Sequence, residues 1–200
     1  DGLVIDLTKA PEQSAGPDNL SRDGTLLACQ MALMGLIGDR DVANGGCFRP
    51  MTVKTLAGTI YHVQEPGACG IYFETMIRLN DLLWRCLAEQ ITDQLPAGNF
   101  SSICATIMGG IHPDTGRHYS IIEPEIGGWG ASKGFDGVNA MFCALHGDTF
   151  NCPAEIAETR YGVTVAQMAL NDEDGGAGQY RGGKGIVLDY KVRNDNSFLT

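Results

Sequence analysis

Asp172-Glu173-Asp174-Gly175-Gly176-Ala177-Gly178-Gln179-Tyr180-Arg181-Gly182-Gly183-Lys184-Gly185 holds six glycines in fourteen positions, with a single Tyr-Arg pair among them. Such density requires a backbone that takes positive φ or passes close to another group. Gly178 to Lys184 has the G-x-x-x-x-G-K spacing of a phosphate loop, but Gly185 stands where Ser or Thr must follow. The next residues, Ile186-Val187-Leu188-Asp189-Tyr190-Lys191-Val192-Arg193, are rich in β-branched and aromatic side chains and read as a strand. The loop therefore lacks the helix N-terminus that would hold a phosphate. Gly176, Gly178 and Gly182 miss the dinucleotide fingerprint, because Arg181 occupies its third glycine position. A calcium loop fails as well, since its first ligand would be Leu170 and its closing acid Arg181. What remains is a glycine hairpin that feeds a strand.

Working outward, a chain of 200 residues is long enough to bury a core without disulfides or metals. Its 27 glycines, with moderate charge and ordinary apolar content, predict a loop-rich globule with strands. A net charge of −10 without a Lys/Arg cluster speaks against nucleic acid. Seven cysteines are scattered singly with no C-x-x-C pair, the pattern of reduced, buried thiols, and place the protein in the cytoplasm. No apolar run reaches the roughly 20 residues of a membrane span, and no leader sequence is visible. The start, Asp1-Gly2-Leu3-Val4-Ile5-Asp6-Leu7-Thr8, is strand-like and lacks Met, so the chain reads as a piece of something longer.

Pro11 to Asp23 is loop-like. A helix is expected from Thr25 to Gly38 with Asp23 as its N-cap. Asn44 to Pro50 forms a second glycine loop, Met51 to Leu56 a short strand, and Ile60 to Val63 another beyond a turn. Tyr72, Met76, Leu79, Leu83, Cys86 and Ile91, widened by Thr75, Leu82 and Leu87, make the apolar stripe of the longest helix. Strands are expected at Ser101 to Met108 and Tyr119 to Ile122. Two clusters of unusual composition follow, Glu123 to Ala131 and Leu145 to Glu158. The whole reads as one α+β unit, residues 1–200, with β-rich mixed sheets, two main helices and glycine-rich loops.

No Gly-x-Ser-x-Gly elbow or cysteine–histidine signature supplies a covalent nucleophile. Glu155 and Glu158 share a helix face if Pro153 opens a helix; the pair suits a tuned general base or a favourable acidic helix start. Trp129, between two glycines, suits a pocket wall or a filler beneath a loop. Arg181 suits an anion clamp or an ion pair with Asp172 or Asp174. His112, His118 and His146, the last two residues before Asp148, form no ligand spacing that defines a metal site.

Gly127-Gly128-Trp129-Gly130-Ala131, Asp136-Gly137, Asn151-x-Pro153-x-Glu155-x-x-Glu158 and Gly175-Gly176-Ala177-Gly178-x-Tyr180-Arg181-Gly182-Gly183-x-Gly185 together resemble the hydantoinase B family. This family includes hydantoinase and caprolactamase subunits, the C-terminal half of 5-oxoprolinase and the large subunits of acetone-type carboxylases. Asp6-Leu7-Thr8, Asn44-Gly45-Gly46 before Arg49-Pro50, and Leu95-Pro96-Ala97 before Gly109-Gly110 extend the resemblance along nearly the whole chain. Glu173-Asp174 stands where the family has Asp-Ser, and Lys184 at a position that is often apolar.

The resemblance implies a B-type component of an ATP-dependent amidohydrolase that opens a cyclic amide or imide. A partner of hydantoinase A type would bind ATP and phosphorylate the substrate, giving a hetero-oligomer. It further implies a divalent metal ion held in a preceding part of the same polypeptide, so that no ligand can be assigned here. Glu155, Glu158 and Arg181 are then the catalytic candidates, and Gly128, Trp129, Asp136, His146 and Asn151 the substrate-binding ones. The alternatives are an ATP-dependent ketone carboxylase and, from another class, a structural and subunit-interface segment with its chemistry elsewhere.

Overall fold

The structure, a computed structural model, describes residues 2–37, 44–147 and 149–200. Asp1, the predicted helix end at Gly38 and Asp148 lie outside the described residues. The chain divides into two compact units, Asp1–Leu95 and Pro96–Thr200.

In the first unit, β1 (Leu3–Asp6) pairs in parallel with β2 (Met51–Lys54), Ile5 opposite Val53. The connection between them includes α1 (Arg22–Ile37), and α2 (Tyr72–Ile91) packs on α1. Ile5, Leu20, Ala28, Cys29 and Leu79 form the core. Burial lifts the Cys29 thiol to about 11, so it acts as a small apolar side chain. Asn19, fully buried, accepts from Ser14 N at 2.7 Å and donates to the carbonyls of Ser14, Gly16 and Ala68, which ties the Pro-rich loop down.

Three local expectations change here. Ser21 caps α1 by accepting from Gly24 N at 3.0 Å, and Asp23 sits in the first turn, where its charge still complements the helix dipole. The segment 60–63 forms no strand: His62 bridges to Thr59, and Ile60 N and Val63 N donate to Pro11 O and Leu20 O. On α2 the buried residues are Thr75, Ile77, Leu79 and Asn80, while Tyr72, Leu82 and Cys86 are exposed. The expected stripe holds at Thr75, Met76, Leu79 and Leu83, which face the core, and Trp84 reaches α1 beside it, its indole N–H donating to Ala32 O at 3.0 Å.

In the second unit, β4 (His118–Glu123), β3 (Thr106–Ile111) and β7 (Ser197–Leu199) form an antiparallel sheet in that order. The alternation of β4 buries Tyr119, Ile121 and Glu123 and exposes His118, Ser120 and Ile122. A short helix, α3 (Ala154–Arg160), leads into β5 (Val163–Leu170), which pairs antiparallel with β6 (Ile186–Val192). Met108, Ile121, Ala157 and Val163 make this unit's core, with Cys152, Tyr161, Val165 and Tyr190 against it. The expected strand from Ser101 begins only at Thr106, because Ser101 and Cys104 take positive φ, 54° and 45°, and bend the chain.

The glycine-rich stretch is the long connection between β5 and β6, and it folds onto the loop 127–140. Gly137 N donates to Arg181 O, Gly183 N to Trp129 O and Ala140 N to Lys184 O, at 2.6, 2.8 and 2.9 Å. A β-carbon at Gly128 would collide with the Gly183 carbonyl, and one at Gly183 with the Val138 carbonyl. None of its glycines is among those with positive φ. Close approach of backbone to backbone, not left-handed geometry, is what they supply here.

The described residues include no helix long and apolar enough to cross a membrane. Of the cysteines, Cys29 and Cys143 are buried, whereas Cys86 and Cys104 are exposed, so the expectation of uniformly buried thiols holds for only part of the set.

Candidate functional site

The chain leaves β4 through Glu123-Pro124-Glu125 and runs beside the bend before β3, Glu125 N donating to Ile103 O at 2.9 Å. There it borders a cavity of about 770 Å³ in the second unit. Gly127, Gly128 and Gly185 give it walls of bare backbone, and Phe100, Ile126 and Leu188 give it apolar surface. Its polar lining is Thr106, Glu125, Asp189 and Tyr190, with the thiol of Cys104. Volume and mixture are those of a small-molecule site. A second cavity, of about 320 Å³ in the first unit, is lined by β1, α1 and α2 side chains that are apolar except Asp6, and offers little chemistry.

Glu123 ends β4, and Glu125 follows two residues on, close enough for its titration to feel the Glu123 charge. Glu123 is buried and satisfied: its Oε1 accepts from Asn151 Nδ2 at 2.7 Å and from Cys152 N at 2.8 Å. Asn151 also donates to Pro124 O at 2.8 Å, locking the segment to the start of α3. Glu125 is held differently. Burial raises its carboxyl above the usual range, a hydrogen bond from Thr106 opposes this, and the Glu123 charge adds to the rise. Its Oε2 is buried without a partner, as is the Tyr190 hydroxyl. Burial, then the charges of Glu123, Glu125 and Cys152, push the Tyr190 phenol far above its usual range. The site thus joins a carboxyl with a raised pKa to a phenol that stays protonated, both able to hydrogen-bond an amide.

The family model for hydantoinase B/oxoprolinase matches residues 1–200. The chain belongs to the hydantoinase B/oxoprolinase family. Within this family it is 30% identical over 194 residues to an uncharacterised protein of Methanocaldococcus jannaschii, covering 96% of this chain and 33% of that protein. It is 28% identical over 203 residues to a protein named as the B-type component of a D-/L-hydantoinase in a Pseudomonas species, covering 98% of this chain and 34% of that one. The chain therefore spans about a third of the length of these relatives. The ATP-dependent caprolactamase of Pseudomonas jessenii shares the fold with a TM-score of 0.81 at 23% identity, over 91% of this chain and 32% of its own. A nucleotide-free acetone carboxylase gives 0.84 at 16% identity, over 98% and 27%. Both are likenesses of fold.

The hydantoinase B motifs quoted from the sequence come together only in part. Gly128 lines the cavity, and Asn151 reaches its border through Glu123. Trp129 donates its indole N–H to Phe142 O at 2.7 Å and so braces a loop. Asp136 Oδ1 accepts from Arg181 N at 2.7 Å, and the Arg181 guanidinium donates to Gly182 O at 2.7 Å, so the ion pair with Asp172 or Asp174 is not formed; Lys184 pairs with Asp174 instead, at 3.3 Å. Glu158 Oε1 accepts from Val165 N at 2.9 Å, fixing the turn from α3 into β5, while Glu155 is exposed. The His146 ring lies tilted against Phe142, centroids 4.6 Å apart and planes at 55°, and burial lowers its pKa.

None of Glu155, Glu158, Arg181, Trp129, Asp136 and His146 is part of the cavity lining. Among the described residues no three His, Cys, Asp or Glu side chains gather as a metal-binding group, so the divalent ion implied for the family has no fit here. Sequence reasoning passed over Thr106, Glu125, Asp189 and Tyr190 as functional residues. The available signal was the Glu-x-Glu at the end of an alternating strand.

Proposed function

We propose that the chain is one hydantoinase B-type segment of the larger component of an ATP-dependent amidohydrolase, which opens a cyclic amide or imide once an A-type partner has bound ATP and phosphorylated the substrate. The observation that carries this reading is the family match along the entire chain. An unactivated amide is a poor electrophile, and phosphorylation of its oxygen supplies a leaving group. Such a division of labour suits a chain whose glycine loop enters a strand and not a phosphate-binding helix.

In this reading the cavity of the second unit holds the ring. Gly127 and Gly128 let backbone approach it, Phe100 and Leu188 exclude water, and Thr106 and Glu125 orient its polar edge. Gly128 is the wall among the proposed substrate-binding residues; Asn151 positions Glu123 behind it. Arg181, Asp136, Trp129 and Glu158 hold the surrounding loops. The catalytic role of Glu155 and Glu158 rests on their shared helix alone. Free thiols throughout support a reducing, cytoplasmic setting.

The test is phosphate release by the full-length protein with its A-type partner, supplied in turn with hydantoin, 2-pyrrolidinone and 5-oxoproline. Release coupled to ring opening is expected with at least one of them. Release only with acetone and bicarbonate would move the reaction to carboxylation. No turnover on any of these, with the complex intact, would leave the chain as a structural and interface segment.

A further inference from the structure

We propose that the cavity of the second unit selects an uncharged amide over an anionic one, with Glu125 and Asp189 as the discriminating groups; this rests on the cyclic-amide reading and narrows it. The lining carries these two carboxyls and no Lys, Arg or His. Glu123 adds a buried carboxylate close enough to shift the titration of both Glu125 and Tyr190. Of the cations near in sequence, Lys184 pairs with Asp174, Arg181 donates to the Gly182 carbonyl and Arg193 pairs with Asp114 at 2.9 Å, while Lys191, exposed on β6, is not part of the lining.

A carboxylate or phosphate placed in this cavity would lose water and meet negative charge with no counter-ion, so its binding is penalised twice. An uncharged amide needs only hydrogen-bond partners and apolar surface. The cavity has both, in the Thr106 hydroxyl and Glu125 carboxyl and in Phe100, Ile126, Ile186 and Leu188. A lactam ring without a carboxylate satisfies these conditions, whereas the same ring carrying one does not.

2-Pyrrolidinone and 5-oxoproline are that pair, differing only by the carboxylate, and pyrrolidine supplies the cationic counterpart. Cys104 lines the cavity and is exposed, while Cys86, also exposed, belongs to the other unit. Iodoacetamide labelling of full-length protein without ATP, resolved by peptide mass, therefore reads occupancy at Cys104 with Cys86 as internal control. 2-Pyrrolidinone is expected to protect Cys104, and 5-oxoproline to require about tenfold or more higher concentration.

Glu125→Gln and Asp189→Asn should each narrow that ratio by about threefold or more, a change in selectivity that a purely structural role would not produce. Asp189 is exposed, so its variant tests the idea independently of any stability change at Glu125. Equal protection by both lactams, no protection by either, an unchanged ratio in the folded variants, or tighter binding of pyrrolidine would each overturn the proposal. Selective protection without ATP-dependent turnover would sink the amidohydrolase reading and leave the selectivity standing; turnover with unselective binding would do the reverse.

Discussion

Burial and the charge of Glu123 hold the Glu125 carboxyl above its usual value of 4.5, and the Thr106 hydroxyl offsets only part of this. Glu123 is more deeply buried, yet two donors satisfy it. The contrast fixes a pH dependence. A carboxyl whose folded pKa is raised leaves the folded state with more bound protons than the unfolded one. Stability therefore falls as pH rises from about 4.5 through the raised value, then levels. Glu125→Gln cannot ionise, so it should melt higher than the parent at pH 7.5, with the difference gone by pH 4; denaturation followed at both values checks the sign. At Gly128 the constraint is steric. Gly128→Ala would drive a methyl group into the Gly183 carbonyl, and relieving the clash must move backbone. A loss of about 1–3 kcal/mol is expected, measured by urea denaturation.

At the scale of elements, the α1–α2 contact depends on a glycine inside a helix. A β-carbon at Gly35 would stand 2.7 Å from the Trp84 ring, and that ring is held by its bond to Ala32 O. Gly35→Ala gains up to about 1 kcal/mol of helix propensity against an overpacking cost of about 1–3 kcal/mol. Net destabilisation is expected, and Trp84→Phe should recover part of it in a double-mutant cycle. Helices and strands of this kind were legible beforehand: α2 from its 3.6-residue stripe, β4 from alternation, β6 from its β-branched run. The face that α2 buries was legible at Thr75, Met76, Leu79 and Leu83, which meet the core as expected, and not at Tyr72, Leu82 and Cys86, which are exposed. The site was less legible still. Glu125 and Tyr190 meet through tertiary folding, and the motif residues Arg181 and Asp136 look reactive in sequence yet bind each other's loops.

Over the whole molecule, the two units carry separate cores and the polar cavity belongs to the second. The chain matches its family from end to end but amounts to about a third of the relatives' length. In its glycine loop the amides of Arg181, Gly182, Gly183 and Lys184 already donate to Asp136 Oδ1, Gly176 O, Trp129 O and Asn139 Oδ1, which takes these four donors from any phosphate. Polypeptide 1–200 alone is therefore expected to release phosphate from ATP no faster than buffer, with 2-pyrrolidinone or hydantoin present or absent. The full-length protein with its A-type partner should show substrate-dependent release under the same conditions. ATP-dependent ring opening by the isolated 200 residues would contradict the assignment of nucleotide chemistry to the partner, and would place it back in the glycine loop.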